Sequence, residues 1–516
     1  MPKKVRTLRR VTTAAEVDEL LDRFEAALLA VDRAQIEAVS QRLWELSDGS
    51  TLPAEAITRR LIAGASKAPA MAFSMLEVVA GEEAYTYLQQ IFDNRDAPDL
   101  TRFAAARRYG WPQRGAAKLR REFLDSLSDP AGTLAAAVQV ADAGPLTDGE
   151  VLEEVLGYLT ALPSERRREV ATRIAAEAGR AALRLFHALL HVKDAPTQRQ
   201  VLAQLVAWRE PGTIGPVARL AATARTKTVK AEAEKALGRL RLRDVTAGAD
   251  GVDLGKPLPP VSAAYLSLID GDGGQIAFVV RELAEGIYCF LNVFHNEAFG
   301  IKDTIAKQTV PAEMLDEMME DFQLTDLELI EVDAAAVRGA MVRAAEVNAA
   351  VKKAIPPAYE IWEPLLHDAE PAPVDEGIVF PELDDAPYAG RDDLLNDSDE
   401  LLEHIWFSAW VIPYEEMFPA MIQTPVPSRG RLSDRQIRPL VERFMTPAMC
   451  VTLRSRLRRQ AWLLDRVGDT IERDQALAVA ASLEETSPDR LVRNRFVRKL
   501  IRVSVEAAAE MIYWGE

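Results

Sequence analysis

Apolar positions in the first half of the chain recur at the spacing of amphipathic helices. Val151, Leu152, Val155, Leu156 and Leu159 follow i, i+1, i+4, i+5, i+8. Val201, Leu202, Leu205 and Val206 repeat the pattern, and Leu185, Phe186, Leu189 and Leu190 form a third stripe. Each stripe predicts a helix of about 12–16 residues with one face turned to a core. Breakers separate them at Gly144-Pro145, Gly179 and Pro211-Gly212. Prolines fall at Pro98, Pro130, Pro163 and Pro196, at intervals of 32, 33 and 33 residues. Proline suits the first helical position, where its missing N–H has no partner to lose, and Asp129 before Pro130 is placed to cap that helix. Upstream, Thr13 and Glu16 have the spacing of a capping box opening a helix to about Leu29. A second helix is expected over Arg33–Leu46, with others following Pro53 and Pro69.

Each interval thus holds two helices. A lone pair cannot bury its apolar stripe, whereas stacked pairs can, so residues 1–247 are expected to form an α-solenoid. Its last unit, Gly215 to Leu240, ends in the A-x-x-A-L-x-x-L pattern of Ala233 to Leu240. In those small-residue helices the segment resembles a HEAT or armadillo-type repeat. The resemblance covers roughly residues 95–243 and implies fold rather than activity. An interval of 33 residues is shorter than the roughly 40 of HEAT units and nearer the tetratricopeptide length.

The period then changes. Gly248 to Pro260, ending Pro-Leu-Pro-Pro, reads as a linker. Ala264–Ile269, Gln275–Arg281 and Ile287–Phe294 are rich in β-branched and aromatic residues and predict a three-stranded antiparallel meander. Helices follow at about Ala312–Phe322 and Ala334–Ala354, stopped by Pro356-Pro357. Residues 261–367 are therefore expected to be a small α+β module. An acidic, proline-containing linker at 368–396 and a helical domain at 397–516 complete a mainly α architecture. From Asp368 to Glu403 there are 13 acidic residues and one basic residue, Arg391, a composition that predicts extended chain to about Gly390. Helical patterning returns at Leu401–Val411, with Trp406, Phe407 and Trp410. Thr446-Pro447 opens a helix ended by Gly468, and a last helix starts near Ser487-Pro488. The former carries Arg454, Arg456, Arg458 and Arg459. The latter places Arg495, Arg498, Lys499 and Arg502 on one face. Two readings of this charge layout stand: the acidic stretch lies over the basic helices, or both are solvated.

With 48% hydrophobic and 27% charged residues the composition is that of a globular protein, and 516 residues suggest roughly three domains. No apolar run reaches membrane-spanning length, and no apolar segment follows the basic start MPKKVRTLRR, so a soluble, cytoplasmic protein without membrane partners is expected. Two distant cysteines, Cys289 and Cys450, support neither a disulfide framework nor a four-ligand zinc site. A net charge of −17 opposes nucleic-acid binding by the surface as a whole.

Local exceptions exist. Arg102–Arg121 holds seven basic residues and no acid, and within it Arg107, Arg108, Tyr109, Trp111, Arg114, Lys118 and Arg121 form a candidate arginine–aromatic binding patch, with Arg120 beside them. The alternative is that these helices pair with acidic neighbours in the stack; the second basic stretch, Arg219–Arg243, is open to the same two readings. His187 and His191 have metal-ligand spacing, but Ala188 stands where a zinc protease needs its glutamate, so packing and capping are expected and no metal or cofactor. Asp270-x-Asp272-x-Gly274 suggests calcium, yet positions 6 and 12 of such a loop would be Gln275 and Arg281, so a hairpin turn is expected. His295-Asn296-Glu297 clusters polar groups at a strand end with no identifiable nucleophile. No catalytic residues emerge. The expected function is a non-enzymatic binding or scaffold protein that recognises another protein. The alternatives are a nucleic-acid-associated protein using the arginine–aromatic patch, and an enzyme of unknown class with its site near the central sheet.

Overall fold

A computed structural model describes residues 13–514 except 113, 145, 248–255, 325–327, 368, 371–379 and 424–431. The basic N-terminal stretch, most of the 248–260 linker and the first half of the acidic linker therefore lie outside the described residues. The fold is mainly helical with a central five-stranded antiparallel sheet. The chain divides into two compact units, Met1–Leu185 and Phe186–Glu516.

Among its described residues the first unit is helical throughout: α1 (Ala14–Ala30), α2 (Arg33–Ser47), α3 (Leu52–Ile62), α4 (Pro69–Ala80), α5 (Ala84–Asp93), α6 (Asp99–Tyr109), α7 (Ala116–Ser126), α8 (Pro130–Asp142), α9 (Gly149–Ala161) and α10 (Ser164–Ala178). Their starts follow the sequence signals. The Thr13 hydroxyl accepts from the Glu16 amide at 3.2 Å and the Asp129 carboxylate from the Gly132 amide at 3.1 Å. Pro69 and Pro130 sit in first turns, while Pro98 and Pro163 occupy the capping positions of α6 and α10. Packing alternates. α2, α4, α6, α8 and α10 contact one another in succession and make one layer; α1, α3 and α5, and separately α7 and α9, do the same in the other. Pro69, Pro98, Pro130 and Pro163 thus open helices of one layer while Pro53 opens α3 in the other, an arrangement compatible with helical repeats. Leu43, Ile57, Phe73, Leu76 and Ile91 fill the core at its N-terminal end.

A buried arginine recurs four residues after two of the prolines. Arg102 donates to the Phe92 and Ser126 carbonyls, both at 2.9 Å, and Arg167 to those of Leu159 and Leu162, both at 2.8 Å. These carbonyls lie in or just after the last turns of neighbouring helices, where carbonyls outnumber the helical N–H donors.

The second unit continues with α11 (Leu183–Leu189), which spans the division, α12 (Ala195–Trp208), α13 (Ile214–Thr223) and α14 (Lys227–Ala247). Strands β1 (Val261–Ser267), β2 (Gly274–Ala284), β3 (Ile287–Asn296), β4 (Gly300–Pro311) and β5 (Leu329–Glu331) form the sheet in the order β4-β3-β2-β1-β5, every neighbouring pair antiparallel. The predicted meander is its centre, and two further strands extend it. β4 escapes a hydrophobic pattern because it is an edge strand: Ile301, Thr304, Ala306 and Val310 face inward while Lys302 and Asp303 are exposed, as suits an edge that must not pair further. α15 (Ala312–Leu324) covers the face carrying Ile276, Phe278 and Phe290. α16 (Ala334–Ala350) also packs on the sheet, and α17 (Pro357–Trp362) follows it.

Asn348 ties α16 to the β3–β4 turn. Its Oδ1 accepts from the Ile301 amide at 2.7 Å, and its Nδ2 donates to the Phe299 carbonyl at 3.1 Å. Gly300, at φ +71°, leaves no room there for a Cβ.

The C-terminal helices are α18 (Asp392–Leu395), α19 (Tyr414–Gln423), α20 (Asp434–Phe444), α21 (Pro447–Val467), α22 (Thr470–Ser482), α23 (Pro488–Arg493) and α24 (Arg495–Trp514). Two expectations need correction. Leu401–Val411 is not a helix but one 3-10 turn followed by further turns; Trp406, Phe407 and Trp410 share the spacing of a helix face, and the turns bury all three without forming one. The last helix is interrupted at Asn494, whose extended backbone ends α23 and whose side chain accepts from the Val497 amide at 3.0 Å to start α24.

The acidic stretch, where described, lies on basic residues. Asp385 pairs with Arg454 at 2.6 Å, Asp399 with Arg495 at 2.8 Å, and Glu403 with Lys499 at 2.7 Å.

Candidate functional site

The arginine–aromatic patch of the first unit is largely absorbed by the stack. Tyr109 and Trp111 join Phe92, Phe123 and Tyr158 in one aromatic cluster, with centroids 5.0 Å apart for Phe92–Tyr109 and 6.2 Å for Trp111–Tyr158. The Trp111 indole donates to Glu154 at 2.8 Å, and Arg120 pairs with the same carboxylate at 3.1 Å. Arg108 meets Glu77 at 2.7 Å, Arg107 meets Glu150 at 3.9 Å, and Lys118 meets Glu122 at 3.6 Å. Arg114 and Arg121 remain exposed, with no ion pair among the described residues.

His187 and His191 belong to a buried charge cluster in the second unit that the sequence does not announce. His187 Nε2 lies 3.2 Å from the Thr213 hydroxyl, and burial pulls its pKa down to about 4, so it is neutral at pH 7. His191 Nε2 is 2.8 Å from a Glu360 oxygen. Arg219 of α13 donates to Glu360 through Nε at 2.8 Å and Nη2 at 2.5 Å, and to Glu363 through Nη1 at 3.1 Å. Burial by itself would raise the pKa of Glu360; Arg219 and His191 outweigh it and hold the group at about 2. Glu363 is likewise held well below the usual carboxylate range, burial being overcome by Arg219 and His367. Every charge here has a partner, so the cluster binds α13 to the α17 segment.

The strand end near His295 is the better candidate site, because it gathers distant segments around groups that keep unused bonding capacity. β3 ends with His295 opposite Gln275 of β2. Asn296 then turns the chain, its amide donating to the Asp272 carbonyl at 2.9 Å and its oxygen accepting from the Ala298 amide at 2.8 Å. Asp270–Gly274 forms a tight turn, with the Gly274 amide on the Asp270 carboxylate at 2.6 Å. Gly273, at φ +77°, has no space for a Cβ because Glu297 lies against it. Glu297 accepts from two α21 arginines, Arg456 and Arg459, the latter at 2.6 Å. Arg456 also stacks on Trp410, 5.2 Å from the ring centroid.

A small cavity opens between His295, Glu297, Arg343, Phe380 and Arg459, floored by Ala340 and Ala344 of α16. At about 10 Å³ it is at the lower limit for one water molecule. His295 Nε2 and Arg459 Nε are buried at it without a hydrogen-bond partner among the described residues. Burial, then Arg459 and Arg343, drives the His295 pKa down to about 3, so the ring is neutral, and burial pulls Arg459 down to about 10 against the opposing effect of Glu297. With both oxygens of Glu297 engaged by guanidinium groups, the site is suited to hold a polar ligand atom rather than to take a proton. Glu297→Gln is expected to cost roughly 2 kcal/mol, the worth of a charged hydrogen bond, because nearly buried Arg459 loses its counter-charge. Urea midpoints that shift by less than a quarter of that would contradict this.

Among the described residues no cluster of three or more His, Cys, Asp or Glu side chains is placed to hold a metal, and no helix is long and apolar enough to cross a membrane. No family model matches the chain, and comparisons with curated proteins and with solved structures return no match.

Proposed function

We propose that the chain is a non-enzymatic binding protein whose helical stack, of HEAT/armadillo type, recognises another protein in the cytoplasm. The observation that carries this reading is the recurrence of exposed apolar side chains along one layer. Each of four successive helices in it bears a large exposed apolar side chain: Trp44 on α2, Met71 and Val78 on α4, Leu100 on α6 and Val140 on α8. One such residue is ordinary; recurrence along packed neighbours is the pattern of a recognition surface. Two buried free cysteines suit a reducing compartment. The protein reading is preferred to the nucleic-acid one because most of the arginine–aromatic patch is neutralised or packed within the stack.

The test is recovery of partners on the full-length chain against a Trp44→Glu, Val78→Glu variant. Loss of two anchor residues should lower recovery of a specific protein by more than the roughly 30-fold that one anchor of about 2 kcal/mol supplies, with the melting temperature unchanged. Equal recovery on both chains, or recovery of RNA alone, would overturn it.

A further inference from the structure

Residues 380–385 cross the second unit in neither helix nor strand, yet they are seated like a bound peptide. Phe380 is buried, its ring edge-on to Trp462 with centroids 6.2 Å apart and under the Arg459 guanidinium at 5.9 Å. Glu382 meets Arg343 at 2.8 Å and Arg458 at 3.3 Å and accepts from the Ser455 hydroxyl at 2.8 Å. The Leu383 carbonyl takes the Arg458 Nε at 2.7 Å, and Asp385 receives Arg454 through two nitrogens at 2.6 and 3.0 Å. Arg454, Arg458 and Trp462 follow i, i+4, i+8 along α21, so one helix face supplies the seat.

We infer that this seat is a docking groove for an acidic peptide led by an aromatic residue, and that the chain's own Phe380–Asp385 segment is a resident competitor covering it. This goes beyond the recognition surface proposed for the first unit and does not depend on it.

Three observations support the inference. First, the segment is held mainly by side chains, with one backbone bond from the Leu383 amide to the Arg458 carbonyl at 3.4 Å, and its arginine partners keep access to water: the Arg343, Arg454 and Arg458 side chains are 39%, 28% and 29% exposed. Asp385 and Phe380 are buried, but ion pairs with arginines of that exposure are weakened by salt, so the hold on the segment depends on ionic strength. Second, the groove has capacity the segment leaves unused. Phe380 walls the cavity but offers no polar atom to His295 Nε2 or Arg459 Nε, and an occupant bearing a polar group there would gain bonds the resident lacks. Third, the charge layout fits discrete carboxylates. Two cationic positions receive acids three residues apart, while Glu484 against Arg454 and Glu297 against Arg459 border the groove and would disfavour a continuous phosphate backbone.

The test uses full-length protein and a fluorescein-labelled peptide, Phe-Pro-Glu-Leu-Asp-Asp-Ala-Pro-Tyr, followed by anisotropy. A tethered competitor acts at an effective concentration of roughly millimolar, so wild type should bind the peptide weakly. The opened variant Phe380→Ser, Glu382→Gln, Asp385→Asn should bind about tenfold tighter or more. That gain should vanish when the peptide's phenylalanine is replaced by serine, or when Arg454→Ser and Arg458→Ser are added to the protein. An opened variant that stays folded but binds no better than wild type overturns the inference. So does one that binds oligothymidylate in place of the peptide. Loss of the fold in the opened variant also overturns it, since the segment would then be a permanent part of the core.

Discussion

Replacing Arg219 with glutamine is expected to destabilise the second unit by about 3–5 kcal/mol, the cost of stranding buried charge after removal of its partner. Glu360 is fully buried, and Arg219 is its main counter-charge as well as that of Glu363. Glutamine retains hydrogen-bonding capacity but neither the charge nor the fork that grips two carboxylates at once. The pH dependence should change sign. In the wild type the Glu360 pKa is lowered to about 2 in the folded state. Its contribution is therefore fully present above the ordinary carboxylate value near 4.5 and is lost as pH falls toward 2. Without Arg219, burial dominates and raises both carboxyl groups, so the folded variant binds protons more readily than its unfolded chain. Its deficit should then shrink on going from pH 7 to pH 5. Urea unfolding at both pH values, with hydrogen exchange on α13 and α17 to localise the loss, measures this. A deficit below about 1 kcal/mol at pH 7, or one that grows on acidification, would contradict it.

Trp410→Ala should cost about 3–5 kcal/mol, the range for removing a buried large aromatic. The indole is almost fully buried, donates to the Ile269 carbonyl at 2.8 Å, and packs on Phe407 at 5.0 Å and Phe496 at 6.4 Å. It also carries Arg456, one of the two arginines on Glu297. The damage should therefore reach the cavity at His295, not only the turn that holds Trp410. Trp410→Phe retains most of the volume but leaves the Ile269 carbonyl unpaired, and is expected to cost about 1–3 kcal/mol. Denaturant midpoints separate the two. Equal costs would mean that the hydrogen bond, rather than the packing, supports this region.

Much of the helical half is legible in the chain because its determinants are local. Thr13, Asp129, Thr446 and Gly468 act within four residues of themselves, and they sit at helix ends as expected. Pro98, Pro130 and Pro163 mark one layer because a helix and its return fit about 33 residues. β4 was hidden by its polar edge character, and the Leu401–Val411 turns were hidden by aromatic spacing that a helix shares. His295 stands out in sequence as a polar strand end. Its cavity does not, since Arg343, Phe380 and Arg459 reach it from three separate segments. The Arg102–Arg121 stretch shows the converse: a conspicuous run of charge whose partners Glu77, Glu150 and Glu154 lie on other helices of the stack.

Sequence alone thus determined most helix starts and stops in the first unit, the alternation that builds the stack, and the strands at the centre of the sheet, all from interactions within one turn or one hairpin. Tertiary structure decided which charges are used. Arg219 meets Glu360, 141 residues away, and Arg459 meets Glu297, 162 residues away. Ionic pairing has no period and no sequence range, so composition reveals that acids and bases are present and only the fold brings each to its counter-charge.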